Sequence, residues 1–376
     1  MRDLKVVDAS NVGAVLDGLR SALAGDGPAI LPQGGAPHEE PVGLPDTVER
    51  RVALVVETSG STGRPKRVAL SADALLASAA ASTTALDAAG QWLLALPTHY
   101  IAGANVLVRS LAAQTEPVVM PEALTDAPFT AQGFLAAADR LDDPTRLVSL
   151  VPTQLARLMA SDAATDVLRT FAAILVGGQA TPAELLAQAL DKGLRVVRTY
   201  GSSETSGGCV YDGLPIGNTE VAIVDGRVEI TGSVLAEGYL DDPRRTAFSF
   251  PERDGRRWYR SEDTGSMHHG RLAVTGRVDD VIITGGIKVS LAEVEAVVRE
   301  LTGLADAVVV AAPHPEWGEV PVVVSTGSME LKVLRREVAH KLGPAGSPAR
   351  LMVVDSVPML ASGKPDRLAI ATLVLQ

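Results

Sequence analysis

The stretch "ETSGSTGRPK", residues 57–66, follows directly on the apolar run "VALVV" at 52–56. Two glycines, four small hydroxylated residues and one lysine fall within ten positions. A short continuous apolar run bounded by such residues reads as a buried strand. The spacing therefore predicts a donor-rich loop at a strand exit. It is not a Walker A loop, because Pro65 stands where that motif needs a glycine before the lysine. The physics is nevertheless similar. Glycines let successive backbone N–H groups turn toward one anion. Ser59, Ser61 and Thr62 add hydroxyl donors, and Lys66 adds a mobile positive charge. A plain polar turn is the competing reading of any one glycine–serine loop.

Short apolar runs alternate with helical patterns on both sides of this loop. Val12, Val15, Leu16, Leu19 and Leu23 keep helical spacing after a Ser10 or Asn11 cap. Residues 25–49 are rich in Gly and Pro and predict an irregular connection. "VALVV" leads to a predicted helix from about Ser71, and "WLLAL" to one near 104–113. "EPVVM", "RLVSLV", "AAILV" and "RVVRT" follow, with helical stretches between most of them. Strands alternating with helices imply a mainly parallel α/β sheet. From about 219 to 276 strands dominate, with a hairpin expected at Asp225-Gly226. From 280 the pattern is compact α+β: helix 291–301, strands 306–312 and 320–324, helix 329–341 and strand 350–354. The expected division is a large domain over 1–278 and a small mobile one over 279–376.

Composition narrows the functional classes. The 376 residues are 46% hydrophobic and 21% charged, as in ordinary globular proteins. The net charge of -11 argues against nucleic acid as the main partner, since phosphate backbones need basic surface. A nucleotide, which needs only a local site, stays open. The single cysteine, Cys209, excludes an intramolecular disulfide and fits a reducing compartment. No run approaches the ~18 apolar residues of a membrane span. The expectation is a cytoplasmic protein.

The order Thr58-Ser59-Gly60-Ser61-Thr62-Gly63-Arg64-Pro65-Lys66 resembles, without a departure, the phosphate loop of the ANL superfamily. That superfamily comprises acyl-CoA synthetases, adenylation domains of peptide synthetases and luciferases. Six further segments resemble its motifs in the right order, from 176 to 367. "VGGQ" (176–179) is similar to the strand end against adenine, with Gly177, Gly178 and Gln179. "TYGSSET" (199–205) is similar to Y-G-x-T-E. The resemblance implies that Tyr200 and Gly201 lie at adenine, Ser203 at the α-phosphate and Glu204 on Mg²⁺. "YRSED" (259–263) resembles Y-x-T-G-D, with Asp263 for the ribose hydroxyls. Ser261 and Glu262 depart from the usual Thr and Gly. "GRVDD" (276–280) resembles the hinge motif, with Arg277 reaching ribose or phosphate and Asp279 as the pivot. "GGIKVSLAEVE" (285–295) resembles the segment after it, whose Gly285 and Gly286 would serve the CoA side. "PMLASGKPDR" (358–367) resembles the C-terminal loop whose lysine, here Lys364, is catalytic.

What the resemblance implies is a two-step ATP-dependent reaction. A carboxylic acid attacks the α-phosphorus to give an acyl-adenylate, and CoA then displaces AMP. Within the superfamily "LPTHYIAGANVLVRSL" (96–111) and "RTYGSSETSGGCVYDG" (198–213) are most similar to short actinobacterial o-succinylbenzoyl-CoA synthetases of menaquinone biosynthesis. His99, Ser206 and Gly207 fall where that group lines its acyl pocket. His99, Arg109, Arg198 and Ser206 are the donors the sequence offers to a second carboxylate on the acid. The phosphate loop also begins much earlier here than in typical members, so most of a leading subdomain is expected to be missing. Three rivals stay open: another aryl- or acyl-CoA ligase, a CoA-independent adenylating enzyme, and a catalytically dead nucleotide binder. A homodimer is an open expectation for the assembly.

Overall fold

The computed structural model describes residues 1–34, 43–58, 66–125, 127–360 and 364–375. The chain divides into two compact units. One comprises Met1–Ala222, Glu229–Arg260 and His269–Leu272, and the other Ile223–Val228, Ser261–His268 and Ala273–Gln376.

The first unit contains two large sheets. In the larger, strands lie in the order Leu214–Pro215, Gly207–Tyr211, Val196–Ser202, Phe171–Val176, Arg146–Leu150, Gln91–Leu94 and Val118–Val119. The five from Val196–Ser202 onward run parallel to their neighbours. This is the mainly parallel α/β sheet that the alternating pattern predicts. Leu93, Leu94, Leu147, Val148 and Ile174 are all 0% exposed. Helices cover such a sheet on both faces, so its strands read as continuous apolar runs rather than alternating ones. Parallel neighbours bring their C-terminal ends to one edge. The chain leaves that edge after Leu94, Leu150, Val176 and Ser202, and such an edge is where open α/β sheets take ligands.

The second sheet of this unit has the order Gly238–Tyr239, Lys66–Ser71, Val52–Thr58, Ala29–Gln33, Arg2–Asp8 and Thr47–Val48. Two expectations change here. Lys66–Ser71 is a strand, antiparallel to Val52–Thr58 with Thr58 opposite Lys66. Residues 59–65 thus join two strands of one hairpin, and the predicted helix follows only afterward, as Ala72–Leu86. Ser71 caps it by accepting from the Ala74 N–H at 3.3 Å. The region 25–49, expected to be irregular, contains Ala29–Gln33 and Thr47–Val48. "AILPQ" is too short and too close to Gly and Pro to read as a strand alone. Parallel pairing with Arg2–Asp8 and full burial of Ala29, Ile30 and Leu31 decide it.

Residues 220–277 supply a four-stranded sheet in the order Glu220–Val224, Arg227–Thr231, Tyr259–His268 and Arg271–Arg277. The C-terminal part is α+β as predicted. Its sheet runs Ile287–Ser290, Val281–Thr284, Gly318–Ser325 and Val308–His314, with Arg350–Val353 parallel to Gly318–Ser325. Alternation sorts one strand between two cores. Val309 packs with Val294, Val298, Leu334 and Val338 of the helices Leu291–Arg299 and Leu331–Leu342. Val308 and Val310 pack with Ile370 and Val374 of the helix Arg367–Val374.

Phe171 starts a central strand, is 0% exposed, and sits 5.8 Å ring to ring from Phe134. Phe171→Ala removes that packing and leaves a cavity, which costs about 3–5 kcal/mol. Urea unfolding is expected to read a loss of that size. A loss below about 1 kcal/mol would show that the core collapses around the gap.

Candidate active site

Two stretches singled out in the sequence leave the sheet edge side by side. Gly177, Gly178 and Gln179 follow the strand Phe171–Val176. The Gly177 N–H donates to the Leu150 carbonyl at 3.2 Å. A Cβ on Gly177 would lie 2.2 Å from Thr199 Oγ1, so only glycine fits. Tyr200 and Gly201 end the neighbouring strand, whose register slips between them. A Cβ on Gly201 would lie 2.0 Å from the Gly207 carbonyl oxygen. Ser203–Thr205 then form a single 3₁₀ turn, and Ser206 and Gly207 follow at φ 51° and 89°. Thr205 Oγ1 staples this reversal, donating to the Gly207 carbonyl at 2.8 Å and accepting from the Ser202 N–H at 2.9 Å.

Glu204 is buried, 7% exposed. Its Oε1 accepts from the Tyr239 hydroxyl at 2.9 Å, and its carbonyl accepts from the Ala236 N–H at 2.8 Å. Tyr239 pairs with Val68 in the strand that starts at Lys66. The tyrosine thereby ties the 203–207 turn to the hairpin carrying the donor-rich loop. Of that loop, Thr58 and Lys66 are described, with Thr58 Oγ1 donating to the Lys66 carbonyl at 3.4 Å. Ser59, Gly60, Ser61, Thr62 and Gly63 lie outside the described residues. The described residues contain no group of three or more His, Cys, Asp or Glu that could hold a metal. A divalent cation there would draw on Glu204 and on oxygens brought by a ligand, which is how Mg²⁺ usually binds beside phosphates. Tyr239 went unnoticed in the sequence, because nothing in "EGYLDD" marks it as the partner of a residue 35 positions away.

His99 follows the strand Gln91–Leu94 and lies against Tyr100, ring centroids 4.1 Å apart. A Cβ on Gly34 would come within 2.6 Å of its ring. Burial pushes its pKa down, so the ring is neutral at pH 7 and offers one N–H. Ser206 Oγ donates to the Val234 carbonyl at 2.8 Å. Asn105 Nδ2 donates to the Ser206 carbonyl at 2.8 Å and fills the space beside Gly207. Arg198 pairs with Asp212 at 3.0 Å and is half exposed. Burial pushes the Cys209 thiol up to about 12, which leaves it inert as a nucleophile.

The second unit holds a separate cluster. Arg277 donates to both carboxylate oxygens of Asp279 at 2.8 Å and to Glu262 at 2.6 Å, and lies 3.5 Å from Asp263. Burial alone would lower its pKa, but the Asp279 hydrogen bonds and the three negative charges outweigh it and raise the value. Glu262, the departure from the usual glycine, is thus one of the groups that hold Arg277. The Asp263 N–H donates to Ser261 Oγ at 3.1 Å. Gly285 and Gly286, at φ 56° and 83°, form the two-residue turn between Val281–Thr284 and Ile287–Ser290.

Lys364 is exposed at the end of a clip. Its carbonyl accepts from the Leu360 N–H at 2.7 Å, and Met359 bridges to Pro365. Arg367 anchors the clip by donating to the Val309 carbonyl at 2.8 Å and to Glu295 at 2.7 Å. Glu295, 7% exposed, also pairs with Arg299 at 2.8 Å.

The model of the AMP-binding enzyme family matches residues 10–240, and that of the AMP-binding enzyme C-terminal domain matches 293–364. A Mycobacterium tuberculosis protein named "Probable 2-succinylbenzoate--CoA ligase" is 38% identical, covering 98% of this chain and 97% of its own length. The 2-succinylbenzoate--CoA ligase of Salmonella typhimurium is 32% identical over 82% of this chain and 66% of its own length. Among solved structures, the o-succinylbenzoate CoA synthetase of Bacillus subtilis in complex with the acyl-adenylate intermediate OSB-AMP superposes with a TM-score of 0.72. It is 28% identical, covering 85% of this chain and 69% of that one.

Glu295→Ala would leave Arg367 and Arg299 without their shared carboxylate. Removing one partner of a buried ion pair costs about 3–5 kcal/mol, and partial exposure of Arg367 puts this case near or below the lower end. We expect calorimetry to show part of the chain melting earlier in this variant. Melting indistinguishable from wild type would show that Glu295 does not anchor the Lys364 clip.

Proposed function

This chain belongs to the AMP-binding enzyme family, and from that premise we propose that it joins o-succinylbenzoate to CoA at the expense of ATP. The products are o-succinylbenzoyl-CoA, AMP and pyrophosphate. The observation that carries this reading is the match to the Mycobacterium tuberculosis relative across 98% of this chain and 97% of that one. The structural match to an enzyme solved with an acyl-adenylate supports the intermediate.

In the first half-reaction an oxygen of the aliphatic carboxylate attacks the α-phosphorus. The new O–P bond replaces the bond to the β-phosphate, and pyrophosphate leaves. Two anions meet, so neutralising charge is the main catalytic need. Lys66 and the donors of 58–63 hold the β- and γ-phosphates, and Ser203 donates to the α-phosphate. Glu204 would hold Mg²⁺, which would supply charge neutralisation to the leaving pyrophosphate. Tyr239 keeps the Glu204 carboxylate turned to one side by occupying its other oxygen. Gly177 and Gly201, where no Cβ fits, leave flat backbone for adenine beside Gln179 and Tyr200. Asp263 accepts from the ribose hydroxyls, and Arg277 stands beside it.

Lys364 stabilises the attacking carboxylate and the charge growing on the α-phosphate. In the second half-reaction the small domain turns about Asp279, withdraws Lys364 and presents the Gly285-Gly286 turn. The CoA thiolate then attacks the acyl carbonyl, the C–S bond forms, and AMP leaves with the former carboxylate oxygen. The chemistry draws on ATP and CoA, which sets it in the cytoplasm.

Two outcomes test this reading. Incubation with ATP, Mg²⁺ and CoA is expected to turn over o-succinylbenzoate, and benzoate or medium-chain fatty acids poorly; equal turnover of all three would contradict the substrate. Lys364→Ala is expected to lower pyrophosphate release by roughly 100-fold or more, a loss of about 3 kcal/mol typical of one missing transition-state donor. CoA transfer to supplied acyl-adenylate should stay close to wild type. Equal loss in both half-reactions would contradict the two-conformation scheme.

A further inference from the structure

Arg277 ends the strand Arg271–Arg277, and its guanidinium is shared among three carboxylates that stand differently to the hinge. A guanidinium carries five N–H groups, one on Nε and two on each Nη. Nε donates to Asp279 Oδ1 and Nη2 to Asp279 Oδ2, both at 2.8 Å, a fork against a fork. Nη2 also donates to Glu262 at 2.6 Å. Nη1 faces Asp263 Oδ1 at 3.5 Å. The scheme above uses Asp263 and Asp279 and leaves Glu262 without a role.

The two grips differ in what they fix. Asp279 lies two residues beyond Arg277, past the end of the strand. On the proposed scheme it is the pivot, so its carboxylate moves when the small domain turns. A fork to that carboxylate ties Arg277 to the pivot and leaves the distance to Asp263 unset. Glu262 directly precedes Asp263 in the strand Tyr259–His268. That strand is the hydrogen-bonded neighbour of Arg271–Arg277, and the Val278 N–H closes the pairing on the Glu262 carbonyl at 2.7 Å. Paired strands move together. A guanidinium bonded to Glu262 therefore keeps its distance to Asp263 whichever way the hinge stands. The backbone under Asp263 is itself secured. Ser261 Oγ accepts the Asp263 N–H at 3.1 Å and donates to the Val228 carbonyl at 2.8 Å. The freedom that remains is that of the Asp263 carboxylate, and Arg277 is the cation that meets it.

We propose that Glu262 is a positioning residue for the nucleotide: it holds Arg277 against Asp263, so that the carboxylate accepting the ribose hydroxyls keeps its orientation through both half-reactions. This rests on the reading of Asp263 as the ribose acceptor. Glu262 touches no substrate and acts through Arg277. An acceptor already held in place loses less freedom when the hydroxyls arrive, which raises affinity for a ligand that carries them. The Arg277 and Glu262 side chains are 42% and 44% exposed, so the effect is modest and weakened by salt.

The test titrates the full chain calorimetrically, at low salt, with AMP and with 2′,3′-dideoxy-AMP, which lacks both ribose hydroxyls. Thermal melting checks that each variant is folded. Wild type is expected to bind AMP at least roughly 10-fold more tightly, the scale of hydrogen bonds to a charged acceptor. In Glu262→Gly the AMP affinity should fall about two- to five-fold, the range of a partly exposed ion pair, while dideoxy-AMP hardly changes. The ratio of the two affinities narrows by that factor. Glu262→Gln, which keeps an acceptor oxygen without the charge, should lie between. In Arg277→Met the ratio should already be narrow, and adding Glu262→Gly should change it no further. A wild-type or wider ratio in folded Glu262→Gly, equal loss on both nucleotides, or a full effect of Glu262→Gly in the Arg277→Met background overturns the assignment. Should Glu262→Gly not fold, an unchanged ratio in Glu262→Gln overturns it instead. Wild type that binds both nucleotides equally, or neither, would overturn the reading of Asp263 itself, a result distinct from the others.

Discussion

The hydrogen bond from the Tyr239 hydroxyl to Glu204 joins parts of the first unit that the chain brings from far apart. Glu204 sits on a turn leaving the parallel sheet, and Tyr239 sits on an edge strand of the other sheet. That edge strand pairs with Lys66–Ser71. With the Ala236 N–H to Glu204 carbonyl bond and the Ser206 Oγ to Val234 carbonyl bond, this 2.9 Å contact sets the distance between a buried carboxylate and the base of the donor-rich hairpin. Without these bonds two sheets could each be well formed and still present their groups at the wrong separation. A buried carboxylate left without that donor would also lose a charge-assisted bond, worth about 1.5–3 kcal/mol.

The second unit solves a related problem with ion pairs. Arg277 is gripped by Glu262 and Asp279 and approached by Asp263, which gathers the residues assigned to ribose and hinge into one cluster. Much of it is exposed, so salt should weaken it. The Lys364 clip depends instead on the buried Glu295, which Arg367 reaches across from the clip's far end. On the proposed scheme Lys364 acts at one stage of the reaction and must be held firmly on its own domain. Backbone bonds within 358–366 and the Glu295 anchor provide that firmness.

Much of this was legible in the sequence because the glycines and carboxylates involved act through local spacing. "VGGQ" and "TYGSSET" follow runs that read as strands, and the structure puts both at the C-terminal edge of the parallel sheet. The small α+β pattern after 280 was legible for the same reason, since its helices and strands have clean periods. What was not legible depends on partners distant in the chain. "KRVALS" becomes a strand through pairing with Val52–Thr58, and "AILPQ" through pairing with Arg2–Asp8. Tyr239 gains its role from Glu204. Periodicity reports which face a residue lies on; it does not report what stands opposite.

The central claim is that the acid is activated by attack on the α-phosphorus. The most direct measurement supplies o-succinylbenzoate labelled with oxygen-18 in its aliphatic carboxylate, together with ATP, Mg²⁺ and CoA, and analyses the nucleotide by mass spectrometry. The account predicts one labelled oxygen in AMP, with pyrophosphate as the other product. ADP with labelled inorganic phosphate, or AMP carrying no label, would contradict it.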